Sequence, residues 1–189
     1  MITSQRRLTM SEFIDEFIGT WKKVITTPGD FFREMPTSGG YAEPLKFAVI
    51  NYIIAGIGLT LISLGSLFFM IVAMPIFGII GLFISGAILY ICFKIVGGSG
   101  SYEGTVRIVS YVSAVNAVAW IPILGWIVAL YAIYLKIVGG TFVHDITTLR
   151  SVIAVFIPLI VVAIILALLI ATVSVALLNA LGTSGYCGY

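Results

Sequence analysis

The sequence predicts an all-α protein: a polytopic membrane helical bundle of five transmembrane helices, preceded by one or two amphipathic interfacial helices. Three observations carry this. Of 189 residues, 60% are hydrophobic and only 10% charged, whereas soluble domains are near a quarter charged. No charge occurs across the 47 residues from Phe47 to Phe93; as one helix this run would be about 70 Å long, twice the hydrocarbon core. All ten Lys and Arg residues fall within 1–46, 94–107 and 136–150, segments that a five-span thread leaves on one side.

Residues 1–44 read as cytoplasmic or interfacial helices and a linker. Thr9 and Glu12 form a capping-box pattern. Phe13, Ile14, Phe17, Ile18, Trp21, Val24 and Ile25 follow at three- and four-residue intervals and make one apolar stripe. Asp15, Glu16, Lys22 and Lys23 take the other face, acids early and lysines late, as the helix dipole favours. Thr27-Pro28 opens a second short helix carrying Phe31, Phe32 and Met35 and ending at Pro36. Trp21 and the Phe pair suit the inner-leaflet interface, and Thr37 to Pro44 links to the first span. No cleavable signal is expected, because the first long apolar run begins only near Leu45.

Residues 45–181 form the predicted five-helix domain. The long apolar run must turn, and Met74-Pro75 places the turn at Phe69 to Pro75. Spans one and two then cover 46–68 and 75–96. The shorter uncharged run, Ile108 to Leu135, is broken by "WIPILGW" at Trp120 to Trp126. It yields spans at Tyr102–Ala119 and Pro122–Gly139, each about 27 Å long, with Arg107 and Lys136 snorkelling to the inner surface. Val152 to Leu181 makes the fifth span, bent at Pro158, and 182–189 form a short tail on the far side. By the positive-inside rule the basic side is cytoplasmic. The chain is thus expected in the cell membrane, N-terminus cytoplasmic and C-terminus opposite.

The run KIVGG occurs twice, at Lys94 to Gly98 and at Lys136 to Gly140, each followed by Thr-x-Arg. Each copy is predicted as the cytoplasmic exit of an even-numbered helix, ended by its Gly-Gly pair. A duplication of two spans, about 42 residues apart, would produce this pattern.

"TWKKVITTPGDFFREMPTSGGYAEPLKFAVINY", "GSYEGTVRIVSYVSAVNAVAWIPILGWIVALYAIYLKIVGG" and "VHDITTLRSVIAV" resemble the Yip family over roughly residues 18–180. The resemblance rests on the "PGDFF" helix, Tyr111, the "IPILGW" break and the glycines after the fourth helix. It implies a five-span integral membrane protein without a catalytic motif, from a family named for members that interact with Rab-type GTPases. Eukaryotic relatives carry longer cytosolic N-termini, so a prokaryotic member is expected and the GTPase role does not transfer directly.

Candidate site residues form two groups. Glu103, Asp145, Lys136, Arg107 and Arg150 lie in loops sharing the cytoplasmic face. They are expected as inter-loop salt bridges, Glu103 with Arg150 or Asp145 with Arg107, or as a lipid-headgroup cluster. Glu103, His144 and Asp145 are the sharper metal candidate, although their spacing is unspecific. Asn51, Asn116, Tyr111, Tyr131 and Tyr134 form a candidate intramembrane polar cluster, as amides in hydrocarbon need partners. No nucleophile–base motif or phosphate-cradling loop is present, and no cofactor is expected. The sequence therefore predicts a non-enzymatic, membrane-organising or trafficking-type adaptor acting through its cytoplasmic face; the alternative is a lipid scramblase or a conduit for a small uncharged solute. The expected partners are the bilayer and a cytosolic protein or a second copy; small-residue stripes such as Ala163–Ala167–Ala171 suit packing within the bundle or a homodimer equally. Nucleic acid is not expected at a net charge of +2 without a basic stripe.

Overall fold

The computed structural model describes residues 9–184, with side chains described through 179. Arg6, Arg7, Cys187 and the tail beyond Ser184 lie outside the described residues. The chain divides into two units, Met1–Val155 and Phe156–Tyr189. Among the described residues all regular structure is helical: α1 Met10–Thr26, α2 Pro28–Glu34, α3 Ala42–Ile62, α4 Met70–Ile95, α5 Tyr102–Val112, α6 Asn116–Ala119, α7 Leu124–Val143 and α8 Thr148–Ser184. The second unit is the continuation of α8, which runs unbroken through Pro158.

The capping box forms as predicted: the Glu12 amide donates to Thr9 Oγ1 at 3.3 Å and the Thr9 amide to Glu12 Oε2 at 2.8 Å. The apolar stripe divides along its length. Val24 is buried, and Phe17, Trp21 and Ile25 pack against the core, whereas Met10, Phe13, Ile14 and Ile18 are exposed. Trp21, Phe31 and Phe32 therefore turn towards the bundle rather than towards lipid. In α2, Thr27 and Pro28 take their predicted places, but the Thr27 hydroxyl donates back to Lys23 O instead of capping the new helix.

The first turn between spans lies earlier than predicted. It spans Ser63 to Phe69, and Pro75 sits inside α4. Side chains close it: the Thr60 hydroxyl is shared between Gly56 O (2.8 Å) and Leu67 O (3.1 Å), and the Leu67 amide donates to Ser63 Oγ (3.1 Å). Leu64 adopts φ 53°, with the Gly65 amide on Thr60 O at 2.9 Å, a left-handed helix end. Helix α4 begins with i→i+3 bonds onto Leu67, Phe68 and Phe69, and Pro75 follows in its second turn.

Among the described residues four helices are long and apolar enough to cross a membrane: α3, α4, α7 and α8. The predicted third span, Tyr102–Ala119, is instead split into α5, a 3-10 turn at Ser113–Val115, and α6. The Ser110 hydroxyl donates to Val106 O at 2.8 Å and that of Ser113 to Ser110 O at 2.6 Å, a back-bonding that competes with the regular ladder. This split helix is heavily buried, from Gly104 to Ser110 and again from Val112 to Val115. Small residues let its neighbours approach: a Cβ on Gly58 of α3 would strike the Trp120 ring, and one on Gly86 of α4 would meet Val106 at 3.2 Å.

The two KIVGG copies behave differently. At the first, Gly97 takes φ 90°, its amide bonds Lys94 O (3.0 Å), and the Gly98 amide bonds Phe93 O (2.8 Å), which ends α4 as predicted. At the second, α7 runs on through Gly139 and Gly140 to Val143. There the left-handed residue is Asp145, φ 50°, and the Ile146 amide bonds Thr141 O (3.3 Å). Gly140 is needed for space: a Cβ would overlap the Phe93 ring.

Candidate functional site: the charged helix ends

Two assemblies tie together the helix ends that the sequence predicts to be cytoplasmic. In the first, Ser101 caps α5, its hydroxyl accepting the Gly104 amide at 3.0 Å. This puts Glu103 in the first turn and Arg107 one turn later on the same side. Glu103 Oε1 accepts from Arg107 Nη2 and Nε, both at 3.2 Å, and from the Gly40 amide at 2.7 Å. Arg107 Nη2 donates in turn to Gly40 O at 2.6 Å. One ion pair thus satisfies both backbone groups of one linker residue. Gly39 and Gly40 adopt φ 114° and 89°, conformations open to glycine, and that turn presents Gly40 to the pair. Arg107 is buried, its side chain only 7% exposed.

In the second assembly, His144 follows α7 and is completely buried. Its ring stacks on Phe93, centroids 4.4 Å apart, and its Nε2 lies 2.8 Å from Thr105 Oγ1. The Thr105 hydroxyl also bonds Ser101 O at 3.1 Å. A hydroxyl has one proton; given to Ser101 O, it leaves Nε2 as the donor to Thr105. His144 Nδ1 has no hydrogen-bond partner among the described residues. Burial, then the Lys94 ammonium, pushes the imidazole down to about 4, so it is neutral near pH 7. The His144 carbonyl accepts from the Ser99 amide (2.9 Å) and hydroxyl (3.2 Å), pinning the α4–α5 and α7–α8 loops to each other.

The predicted clusters are only partly assembled. Glu103 pairs with Arg107 on its own helix rather than with Arg150, and Arg107 does not pair with Asp145. Asp145 is exposed, with its backbone committed to the helix end. Arg150 is exposed beside Gly97. Lys136 is half-buried and forms no hydrogen bond or ion pair among the described residues. Glu103, His144 and Asp145 do not form a metal-holding group; none is present among the described residues.

Within the predicted intramembrane polar cluster the Tyr131 and Tyr134 rings lie 5.5 Å apart, centroid to centroid. Asn51 is buried, and its amide donates to Phe47 O of its own helix (2.8 Å). Tyr111 joins an aromatic group with Phe31 and Phe47, at 4.9 and 5.3 Å. The Tyr131 hydroxyl donates to Ile25 O at 2.6 Å, ending α1. Tyr134 is exposed, and Asn116 is half-buried. Sequence reasoning missed Gly40, Ser99 and Thr105 as partners. The Gly39-Gly40 pair was a visible signal of an unusual turn, but Ser99 and Thr105 carried none.

A chain whose described residues are all-helical, with four membrane-capable apolar helices among them and its charges confined to three segments outside the long apolar runs, is an integral membrane protein. The Yip1 domain family model matches residues 22–171. The chain belongs to the Yip family. No curated protein and no solved structure matches it significantly.

Proposed function

We propose that this protein is a non-enzymatic, membrane-organising component of the cell membrane that works through its cytoplasmic face. It crosses five times, with the split helix α5–α6 supplying the third passage, its N-terminus cytoplasmic and its C-terminus opposite. Residues 1–44, the five-helix region 45–181 and the tail 182–189 are its three parts. The single observation that supports this reading is the distribution of charge: all ten Lys and Arg residues fall within 1–46, 94–107 and 136–150, and these segments share one face when an even number of crossings separates each from the next. The Arg107–Glu103–Gly40 clamp and the His144–Ser99 pin supply a rigid cytoplasmic surface on which a cytosolic protein or a second copy would act. The conduit reading has less support, because Tyr111 and Tyr131 are engaged in packing and hydrogen bonding.

The test is reconstitution of the purified full chain in phosphatidylcholine vesicles, with vesicle shape imaged and lipid flip measured. Altered curvature with flip at the empty-vesicle rate is expected. Unchanged shape, or flip well above empty vesicles, would overturn the proposal, the latter in favour of a scramblase.

A further inference from the structure

The N-terminal helix pair reaches deep into the bundle. Depth follows from helix rise, counted from the cytoplasmic helix ends. Phe17 packs on Phe47 (5.2 Å), which lies about 8 Å beyond the start of α3. One turn later, Trp21 Nε1 donates to Ala114 O at 3.0 Å; Ala114 is twelve residues past Tyr102, about 18 Å down. Ile25 O accepts from Tyr131, which is twelve residues before Val143, again about 18 Å down. The descent from Phe17 to Ile25, about 10 Å, is close to the rise of the intervening helix, about 12 Å. Helix α2 then climbs back, with Phe31 against Tyr111 and Arg33 over the Phe142 ring near the end of α7. The clamp on Gly40 closes the excursion at the cytoplasmic rim.

This placement conflicts with a flat bilayer. Asp15, Glu16, Lys22 and Lys23 are exposed on α1, and charges in hydrocarbon are costly. Met10, Phe13, Ile14 and Ile18 are exposed on the same helix and need acyl chains. A helix with both demands lies at the headgroup–acyl boundary. Lysine stems allow some snorkelling, but the helix itself lies beside Ala114 and Tyr131. Lys136, on α7 about 10 Å below its cytoplasmic end, is half-buried without a carboxylate partner. It independently calls for water or phosphate at that level.

We propose that α1–α2 is a wedge that indents the cytoplasmic leaflet on one side of the bundle, drawing phospholipid headgroups and water down to Lys22, Lys23 and Lys136. Beside α1, only about 12 Å of the 30 Å length of α7 remains for hydrocarbon. The short third and fourth passages then match a locally thinned membrane. The wedge deepens the membrane-organising reading and rests on it for its biological use, though not for its geometry.

Spin labels test it in the full chain in phosphatidylcholine vesicles, with Cys92 and Cys187 replaced by alanine. Labels are placed singly by Lys23→Cys, Ile84→Cys and Leu64→Cys, and their contact with deuterated water is measured. Ile84 is exposed on α4 about 17 Å before its cytoplasmic end, the same height as Lys23. Leu64, in the exposed α3–α4 turn, is the wet reference. The label at 23 should approach the signal at 64, and that at 84 should lose it. A label pair at 23 and 134 should give a single short distance, confirming that α1 is docked. A dry position 23, equal wetting of 23 and 84, or a broad long distance would each overturn the wedge. Lys22→Cys repeats the measurement if the first variant does not fold. Loss of the vesicle-shape effect with the 23-versus-84 contrast intact would remove the proposed function and leave the wedge standing.

Discussion

Acidification is the perturbation to which buried His144 should respond most. Its ring is fully enclosed by Phe93, Thr105 and the Gly98–Gly100 loop, with Lys94 and Tyr90 close by. Burial and the Lys94 charge hold it at about 4, against an ordinary 6.5. The folded value is the lower one, so the unfolded chain takes up the proton first. Stability from the neutral ring is complete above about pH 6.5, falls as pH drops towards 4, and levels off below. At about 1.4 kcal/mol per unit, the loss is about 3 kcal/mol. The assay is unfolding of the detergent-solubilised protein at pH 7.5 and 4.5, for the wild type and for His144→Gln. Glutamine retains a donor for Thr105 but cannot charge, and the carboxylates titrate in both proteins. The wild type should lose about 3 kcal/mol more than the variant on acidification; equal losses would refute the reasoning.

The two KIVGG glycines should separate in the same assay. Gly97→Asn should cost about 1 kcal/mol or less, since asparagine tolerates the left-handed region, whereas Gly140→Asn, forced into Phe93, should cost about 3 kcal/mol. Arg107→Gln should cost about 3 kcal/mol by stranding Glu103 and the Gly40 carbonyl, and limited proteolysis should then cut at Thr37 to Gly40, where the wild type resists. Cysteines introduced at 100 and 142 should be labelled by an impermeant reagent from the cytoplasmic side, and one at 64 from the other side; labelling of 100 and 142 from opposite sides would refute five crossings.

Local signals were legible wherever a few neighbouring residues settle the outcome. The Thr9–Glu12 box, Pro28 at the start of α2 and the glycine end of α4 were all readable. The first turn was misplaced because Pro75 is a strong local signal, while the hydroxyls of Thr60 and Ser63 that close the turn act through contacts without a sequence signature. The charged candidates were expected on one face from their positions; the inter-loop pairing expected for them does not form, because Glu103 meets Arg107 one turn away on its own helix.

The sequence by itself determined that the chain is helical and lives in lipid. Hydrophobic length and the scarcity of charge are sums over residues, and no contact can reverse them. It could not decide what identical residues do in different surroundings. Lys-Ile-Val-Gly-Gly ends a helix at 98 and packs a helix against Phe93 at 140, because the second Gly-Gly meets a ring and the first meets a turn. Nor could it decide the depth of α1, which depends on Trp21 and Tyr131 reaching across about a hundred residues of chain. Such partners are chosen by which surfaces the bundle brings together, and only the assembled bundle holds that information.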